Sequence, residues 1–280
     1  MRATIWGCRG SLPTPGARTL GFGGNTSCVA IELGDEALLV LDAGTGICEL
    51  GGRLDGVTAP IHICLTHLHL DHVEGLRFFA PLWRPESEVH IWGPPSAVTP
   101  LFERISRAFS PPLFPVQLSD VPCSLTVHDA PEEEWSVGPA RLRAQPVIHP
   151  GPTLGYRVEA GGRTLAYLPD HEPFLGGDGV ERPPDWLSGF AVAADADVLV
   201  HDSQYTPEEY ASRVGWGHSS VDHAVRYARA AGAERLVLFH HDPLRSDDEL
   251  AALGDLAAEL CGRDGGPVPE LAEEGSEILV

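Results

Sequence analysis

The chain has 280 residues, 43% of them hydrophobic, and a formal net charge of −21. A chain of this length buries roughly three quarters of the surface that it exposes when unfolded, so a packed core is expected. The charge disfavours long nucleic acids as partners, because binding them uses clustered lysine and arginine to displace counterions. An acidic surface can also serve solubility alone.

The start of the chain lacks the apolar run and cleavage site of a secretory signal. No later run of about 20 apolar residues could span a bilayer, so we expect a cytoplasmic protein that does not contact the membrane. The six cysteines are scattered and form no C-x-x-C pair. They are therefore predicted to be reduced packing residues, without a disulfide framework or a thiolate zinc site.

Short apolar runs that favour strands recur along the chain, and helix-like segments lie between some of them. This mixture indicates an α/β fold whose strands lead into loops with polar residues. Strands are predicted at 29–33, 38–41, 61–65, 89–92, 165–168, 198–200 and 236–239, and helices at 220–231 and 247–261.

Two less regular stretches complete the chain. Residues 81–122 are rich in proline and could form either a lid over a site or a packed connection. Residues 262–275 are acidic and rich in glycine and proline, and residues 278–280 are predicted to return as a short strand. Because no repeat and no linker-like stretch is found, a single domain covering residues 1–280 is predicted.

The strongest signal is the segment T-H-L-H-L-D-H at residues 66–72, directly after a predicted strand. Three imidazoles and a carboxylate within six residues suit zinc better than magnesium or calcium, which prefer oxygen ligands. In an extended segment His67 and His69 project to the same side and can bind one ion. Asp71 and His72, where the chain turns into a helix, can reach a second ion. The alternative is a fortuitous cluster of surface histidines.

Six residues cannot complete two metal sites, so further ligands must come from elsewhere. His149, Asp170 and His240 each lie at or near the end of an apolar, strand-like run. Taken alone, either histidine would more often be a core or surface residue. Their order along the chain and their place at strand ends favour ligands.

The pattern H-x-H-x-D-H, followed by a distant His, an Asp and a final His, resembles the metallo-β-lactamase superfamily over nearly the whole chain. Residues 24–27 and 41–46 also look like the early strand and the glycine turn of that family. The resemblance implies a four-layer αββα fold and two metal ions, zinc first and manganese as an alternative. It implies that one ion is bound by His67, His69 and His149, the other by Asp71, His72 and His240, and that Asp170 bridges them.

Two ions about 3.5–4 Å apart can share a hydroxide, lower the pKa of that water towards 7 and neutralise charge on the substrate. Asp42, in the glycine turn, is expected either to orient a ligand or to serve the turn itself, because ligating histidines usually donate their other N–H to a carboxylate or carbonyl.

Residues 215–220, G-W-G-H-S-S, resemble the His-Ser/Thr element of ribonuclease Z and related phosphodiesterases. In that group the histidine faces the phosphate and protonates the leaving oxygen. The resemblance therefore implies that His218 is the general acid and that Asp202 orients it. Together with the metal ligand Asp71, these are the predicted catalytic residues. The alternative for His218 is a helix-start residue that bonds to the backbone.

The metal motif cannot name the substrate, because the superfamily also contains β-lactamases, lactonases and thioesterases. The chain looks closest to small phosphodiesterases, and it shows no glycine- and lysine-rich arm like the one with which ribonuclease Z grasps tRNA. We predict a phosphodiesterase that uses a metal-bridged hydroxide on a small phosphodiester, most of all a cyclic nucleotide, and that forms a homodimer. The alternatives are a ribonuclease Z-like RNA endonuclease, a lactone or thioester hydrolase, and a metal-binding domain without turnover.

Overall fold

Two seven-stranded sheets form the centre of the protein in a computed structural model, which describes residues 1–177, 183–264 and 266–280. The strands are β1 (Arg2–Gly7), β2 (Cys28–Glu32), β3 (Leu38–Leu41), β4 (Ile61–Cys64), β5 (Glu88–Gly93), β6 (Ser124–Asp129), β7 (Trp135–Val137), β8 (Ala140–Pro146), β9 (Leu154–Ala160), β10 (Arg163–Leu168), β11 (Val198–Asp202), β12 (Arg235–Phe239), β13 (Pro269–Leu271) and β14 (Glu277–Leu279).

Seven α-helices accompany the strands in the described part of the chain. They are α1 (Gly46–Arg53), α2 (Leu70–Val73), α3 (Leu101–Ser106), α4 (Phe190–Ala193), α5 (Pro207–Tyr210), α6 (Val221–Ala231) and α7 (Asp247–Asp264). Short 3₁₀ helices span Glu74–Phe78, Ala80–Trp83, Leu118–Asp120 and Pro184–Trp186.

The strand order places many carboxyl ends at one edge of the molecule. The first sheet runs β14-β1-β2-β3-β4-β5-β6, with β3 to β6 parallel. The second runs β13-β12-β11-β10-β9-β8-β7, with β10 to β13 parallel. Because parallel strands end on the same side of a sheet, the loops after β4, β10, β11 and β12 can meet.

The core has three apolar layers, which separate the two sheets from each other and from the helices. Leu41, Tyr156 and Phe239 are among the side chains buried between the sheets. A second layer packs α1, α3 and the 3₁₀ helices between residues 74 and 120 on the first sheet, and a third packs α4, α6 and α7 on the second. The predicted four-layer αββα fold is confirmed.

All seven predicted strands and both predicted helices are present, and the C-terminal strand pairs with β1. Strands β1, β6 to β9 and β13 were not predicted. In β8 (Ala140–Pro146) the first four residues alternate between buried and exposed, so only half of them are apolar and no continuous run marks the strand.

The proline-rich stretch 81–122 packs against the outer face of the first sheet. Leu101, Ile105 and Phe109 are buried in that layer, which supports a packed connection over a lid. All six cysteines are free thiols, and five of them are buried. Within the described residues, none of the helices has the length and apolar character needed to cross a membrane.

Candidate functional site

Imidazoles and carboxylates from both sheets meet at the edge where the parallel strands end. His67 and His69 follow β4, His149 lies between β8 and β9, Asp170 follows β10, and His240 follows β12. Among the described residues, sets of three potential ligand atoms lie within 4.8 Å of one another. These sets are His67/His69/His149, His67/His72/Asp170, Asp71/His72/His240, His149/Asp170/His218 and Asp202/His218/His240. The structure thus brings all seven predicted ligands together.

Asp170 occupies the centre of this cluster and is almost fully buried. Its Oδ1 lies 3.0 Å from Nε2 of His72, and its Oδ2 lies 3.3 Å from Nε2 of His240. The same Oδ2 is 3.7 Å from Nε2 of His149 and 3.8 Å from Nε2 of His67. One carboxylate therefore faces histidines of both predicted ligand sets.

Asp71 lies on the other side of the cluster, in the first turn of α2. Its Oδ2 is 3.3 Å from Nε2 of His240 and 3.4 Å from Nε2 of His72. The same oxygen accepts a hydrogen bond of 2.6 Å from the backbone N–H of Ser11. His69 approaches from the solvent side, where its Nδ1 lies 3.2 Å from Nε2 of His149.

In four of the histidines, Nδ1 forms a hydrogen bond with a group outside the cluster, so Nε2 faces the cluster. A ring nitrogen that donates to a fixed acceptor sets the tautomer and the ring orientation. The acceptors are the Asp42 carboxylate for His72 at 2.8 Å, the Gly217 carbonyl for His149 at 2.8 Å, Thr66 Oγ1 for His67 at 3.1 Å and Gln204 Oε1 for His240 at 3.1 Å. Asp42 thus orients the ring of His72, one of the predicted ligands.

The donors fit a cation. Nε2 of His67, Nε2 of His72 and Oδ1 of Asp170 are buried and have no hydrogen-bond partner among the described residues. Nδ1 of His72 lies 2.8 Å from Asp42, and its Nε2 lies 3.0 Å from Oδ1 of Asp170. Burial alone would lower the pKa of His72, but the carboxylates of Asp170, Asp71 and Asp42 raise it well above its usual value, so this part of the cluster favours a cation, either a proton or a metal ion. The His/Asp clusters are suited to binding metal ions.

Burial and neighbouring charges set the protonation states of several of the predicted ligands. Burial lowers the pKa of His67 and of His149, which favours neutral imidazoles. Burial alone would raise the pKa of Asp170, but the surrounding imidazoles hold it well below its usual range, and the same balance applies to Asp71. Neutral imidazoles and ionised carboxylates are the forms that bind metal.

The backbone is strained at two of these positions. His240 has φ 60° and Asp42 has φ 60°, a left-handed conformation that few residues other than glycine adopt. Gly10 packs against the His240 ring so closely that a Cβ at residue 10 would lie 2.4 Å from the imidazole. Strain of this kind persists where the surrounding structure imposes it, often at functional sites.

His218 lies beside the cluster and bonds to a carboxylate. Its Nδ1 is 2.7 Å from Oδ2 of Asp202 and 3.9 Å from Oδ2 of Asp170, and its ring stacks on His240 at 4.9 Å. Burial lowers the pKa of His218, but Asp202 above all raises it, to about 9. The predicted pairing of His218 with Asp202 is present, in place of the alternative bond to the backbone.

Asp202 is itself held in place by the backbone. Its two oxygens accept hydrogen bonds from the N–H groups of His171, Gln204 and Ser219, at 3.0 to 3.2 Å. It is fully buried, so the carboxylate has a fixed orientation towards His218.

Several residues that orient the predicted site residues were not predicted from the sequence. Thr66, Gln204 and the Gly217 carbonyl orient predicted ligands, and Glu172 binds the loop that carries His218. Thr66 opens the motif and contacts the adjacent His67, but the partners of Gln204, Gly217 and Glu172 lie elsewhere in the chain. Only the fold shows these contacts.

The comparisons with known proteins agree with this geometry. A family model described as "Beta-lactamase superfamily domain" matches residues 39–241. The chain is 26% identical to the Ribonuclease Z of Haloarcula marismortui, with 100% of this chain and 97% of the relative covered. It is 28% identical to the Ribonuclease Z of Myxococcus xanthus, with 94% of each chain covered.

Solved structures share the fold. The metallo-beta-lactamase fold protein YhfI from Bacillus subtilis superposes with a TM-score of 0.69 at 20% identity over 99% of both chains. A diphosphatase from the PhnP family superposes with a TM-score of 0.67 at 19% identity, over 100% of this chain and 97% of the other. Because the family model covers well over half of the chain, the protein belongs to the beta-lactamase superfamily and is a metal-dependent hydrolase of the metallo-β-lactamase fold.

Proposed function

We propose that this hydrolase is a two-metal phosphodiesterase that cleaves a small phosphodiester, with a cyclic nucleotide as the first candidate. The observation that carries the proposal is His218, an imidazole outside the predicted ligand set that bonds to Asp202 and lies against the metal cluster. The names of two relatives, Ribonuclease Z, and of one structural neighbour, a diphosphatase, denote cleavage at phosphorus and support the proposal.

We assign His67, His69 and His149 to one divalent cation, Asp71, His72 and His240 to a second, and Asp170 to both. Zinc suits this imidazole-rich donor set, and manganese is the alternative. When bound, two such ions lower the pKa of water in the site and neutralise negative charge on a phosphoryl group.

The chain itself supplies the proton for the leaving group. Because Asp202 accepts the Nδ1 proton of His218, the opposite nitrogen, Nε2, can hold the proton that the leaving oxygen needs. Asp202 is held by three backbone N–H groups, so the acid needs little reorganisation. A lactone or thioester hydrolase at the same cluster would have no comparable need for this pair.

An apolar cleft supports a compact substrate. It has a volume of about 190 Å³, and its lining includes Pro94, Pro95, Ala130, Pro146 and Leu154. These residues come from β5, β6, β8 and β9 or from the loops after them, and β5 and β9 are the direct neighbours of β4 and β10. Leu154 donates its backbone N–H to the carbonyl of Thr66 at 2.9 Å, so the cleft borders the residue that precedes His67. A cleft below the ~300 Å³ of typical ligand pockets suits one uncharged ring, such as a nucleobase.

Arginines in the loops near the site are engaged within the protein. Arg245 forms an ion pair of 2.7 Å with Glu209, and the guanidinium of Arg213 lies 4.9 Å from the ring centroid of Tyr205. Arg9 is fully buried and donates to the backbone carbonyls of Gly23 and Arg245. Together with the net charge of −21, this disfavours a long polyanion.

Cleavage of RNA by a ribonuclease Z-like reaction is the second candidate. It is favoured by relatives of that name that match this chain over 94% to 100% of its length.

The homodimer, the cytoplasmic location and the single domain remain predictions. Light scattering of the purified protein would test the homodimer.

The test compares wild type and His218→Ala on a cyclic nucleotide, a nitrophenyl phosphodiester, a tRNA precursor, a lactone and a thioester. A proton delivered to a poor leaving group is worth about 10²–10⁴-fold, whereas a nitrophenolate leaves with little help. We expect the variant to keep its metal, to lose most of kcat/KM on the cyclic nucleotide and to lose much less on the nitrophenyl ester.

Each contrary outcome has a distinct meaning. Equal losses on both phosphodiesters would remove the acid role of His218, because a pure binding role lowers both rates alike. Tight, salt-sensitive binding and fast cleavage of the tRNA precursor would give first place to the RNA endonuclease. Fast lactone or thioester turnover, with no loss on any phosphodiester, would overturn the proposed function.

A further inference from the structure

Glu172 is a fully buried carboxylate outside the predicted ligand set. Its Oε1 accepts hydrogen bonds from the Tyr210 hydroxyl at 2.7 Å and the Gly215 N–H at 2.8 Å, and its Oε2 accepts from the Gly217 N–H at 2.7 Å. Its own N–H donates to the carbonyl of Ile148 at 2.9 Å. Glu172 therefore connects the loop of Asp170 to the loops that carry His149 and His218.

No arginine or lysine of the described chain forms an ion pair with Glu172. A buried carboxylate without a cation is costly, and only a full set of hydrogen bonds offsets that cost. An apolar residue could pack the same space without the cost. The side chain therefore needs an explanation beyond packing, and its hydrogen bonds point to the His218 loop.

The backbone of Gly217 connects Glu172 to His149. Its N–H donates to Glu172, while its carbonyl accepts the Nδ1 proton of the candidate ligand His149 at 2.8 Å. Gly217 has φ 88°, and a Cβ at this position would lie 2.5 Å from Nδ1 of His149. Only glycine fits this position, and the next residue is His218.

We propose that Glu172 is a positioning residue that orients the His149 ring and the His218 imidazole together, through the backbone of Gly215 and Gly217, the residues on either side of Trp216. The carboxylate fixes the Gly215 and Gly217 N–H groups. The carbonyl of Gly217 then meets Nδ1 of His149, and the chain leaves Gly217 in the direction that brings His218 to Asp202. The claim on His218 rests on the proposed function, whereas the claim on His149 rests on metal binding alone.

Glu172→Gln is the informative variant, because it keeps the size of the side chain. Glutamine offers one acceptor oxygen where the carboxylate offers two, so it cannot accept all of these hydrogen bonds. Glu208→Gln is the matched control, since Glu208 lies exposed at the start of α5 in the same part of the chain. Thermal unfolding of both variants reports whether the fold is kept.

The first measurement is zinc affinity, by competition with a chromophoric chelator. Partners that orient a ligand typically change metal affinity by about 10–100-fold, so we expect Glu172→Gln to bind zinc at least about tenfold more weakly and Glu208→Gln to match wild type. Unchanged zinc affinity in a folded Glu172→Gln variant would overturn the claim on His149. This result does not depend on the substrate.

The second measurement is a double-mutant cycle with His218→Ala, at saturating zinc, on a cyclic nucleotide and on a nitrophenyl phosphodiester. We expect Glu172→Gln to lower kcat/KM on the cyclic nucleotide by about 10–100-fold and on the nitrophenyl ester by much less. In the His218→Ala background it should cost less than about threefold. Equal losses in both backgrounds and on both substrates would show a merely structural role and overturn the claim on His218.

The two proposals can fail separately. If wild type cleaves none of the phosphodiesters, the proposed function fails and the claim on His218 fails with it, while zinc competition still decides the claim on His149. If wild type cleaves the cyclic nucleotide and Glu172→Gln does so equally fast, only the role of Glu172 is refuted.

Discussion

Two histidine groups lie on β4 or directly after it in the described part of the chain, and one of the two has the features of a metal site. In the cluster at the strand ends, the rings converge on two carboxylates. In the second group, the His stack, His62, His90 and His128 lie on β4, β5 and β6. The rings of His62 and His90 are 4.5 Å apart and nearly parallel, and those of His90 and His128 are 5.4 Å apart.

Their hydrogen bonds explain the difference. In the His stack the nitrogens pair with one another or with local side chains: Nδ1 of His90 lies 3.1 Å from Nε2 of His128, and Trp92 donates to Nδ1 of His62 at 3.2 Å. No set of three converging ligand atoms among the described residues includes a member of the stack. The number and proximity of histidines therefore do not make a metal site. A metal site needs imidazoles that converge on carboxylates and whose tautomers are fixed by a hydrogen bond at the other ring nitrogen.

The largest effect is expected when the carboxylate on which the histidines converge is removed. Asp170→Ala deletes the carboxylate that faces both ligand sets, so the variant should lose most of its metal and its hydrolytic activity should fall by far more than 100-fold. The fold should persist, because the core between the sheets does not include this residue. Elemental analysis, circular dichroism and activity test this.

Asp120→Ala, at an exposed position, is the matched control and should change none of these readouts. Close to full activity in Asp170→Ala would remove this residue from the site. Loss of the fold would show that the cluster supports the core.

The sequence predicts the ligand cluster and misses what orients it, for a physical reason. Residues 67–72 are contiguous, so their chemistry is visible without a fold, and the apolar runs before Asp170 and His240 identify strand ends. The partner of His149, by contrast, is the carbonyl of Gly217, a backbone atom that any residue has, 68 positions away. No side-chain pattern encodes such a contact.

The strands also divide into those that the sequence predicts and those that it misses. The central parallel strands are continuous apolar runs because both of their faces are buried, and they were predicted. The peripheral strands β6 to β8 carry exposed polar residues at many positions and were missed. Glu172 looks like any other glutamate in the sequence, since its partners lie about 40 residues further along the chain.

A smaller effect is expected when only the hydrogen bond that orients a predicted ligand histidine is altered. Asp42→Asn replaces the acceptor for Nδ1 of His72 with an amide, which can present its NH₂ group and favour the wrong tautomer. Asparagine tolerates the left-handed backbone of residue 42, so the turn should survive. We expect zinc affinity to fall by about 10–100-fold, as measured by competition with a chelator.

The matched control for Asp42→Asn lies in the His stack. Glu88 is 3.0 Å from Nε2 of His90, so Glu88→Gln alters an equivalent carboxylate–imidazole contact outside the cluster. Its zinc affinity should equal that of wild type. Equal losses in both variants would show that anchoring does not distinguish the two groups of histidines.

The smallest effect is expected in the His stack itself, and it concerns pH. Burial, followed by the facing imidazoles of His90 and His128, lowers the pKa of His62 to about 4, while Glu88 acts in the opposite direction. The unfolded chain has a histidine pKa of about 6.5, so between pH 6.5 and 4 the unfolded state binds more protons at this residue than the folded state. His62 therefore destabilises the fold progressively as the pH falls through that window, and has no such effect above it.

His62→Gln can still accept the Trp92 N–H, but it does not titrate. The variant should therefore unfold at nearly the same urea concentration as wild type at pH 7.5. At pH 5 it should unfold at a higher urea concentration than wild type. Metal content should not change. Equal loss of stability on acidification in the two proteins would show that the His stack does not titrate in this way, and loss of metal from His62→Gln would erase the distinction between the two groups of histidines.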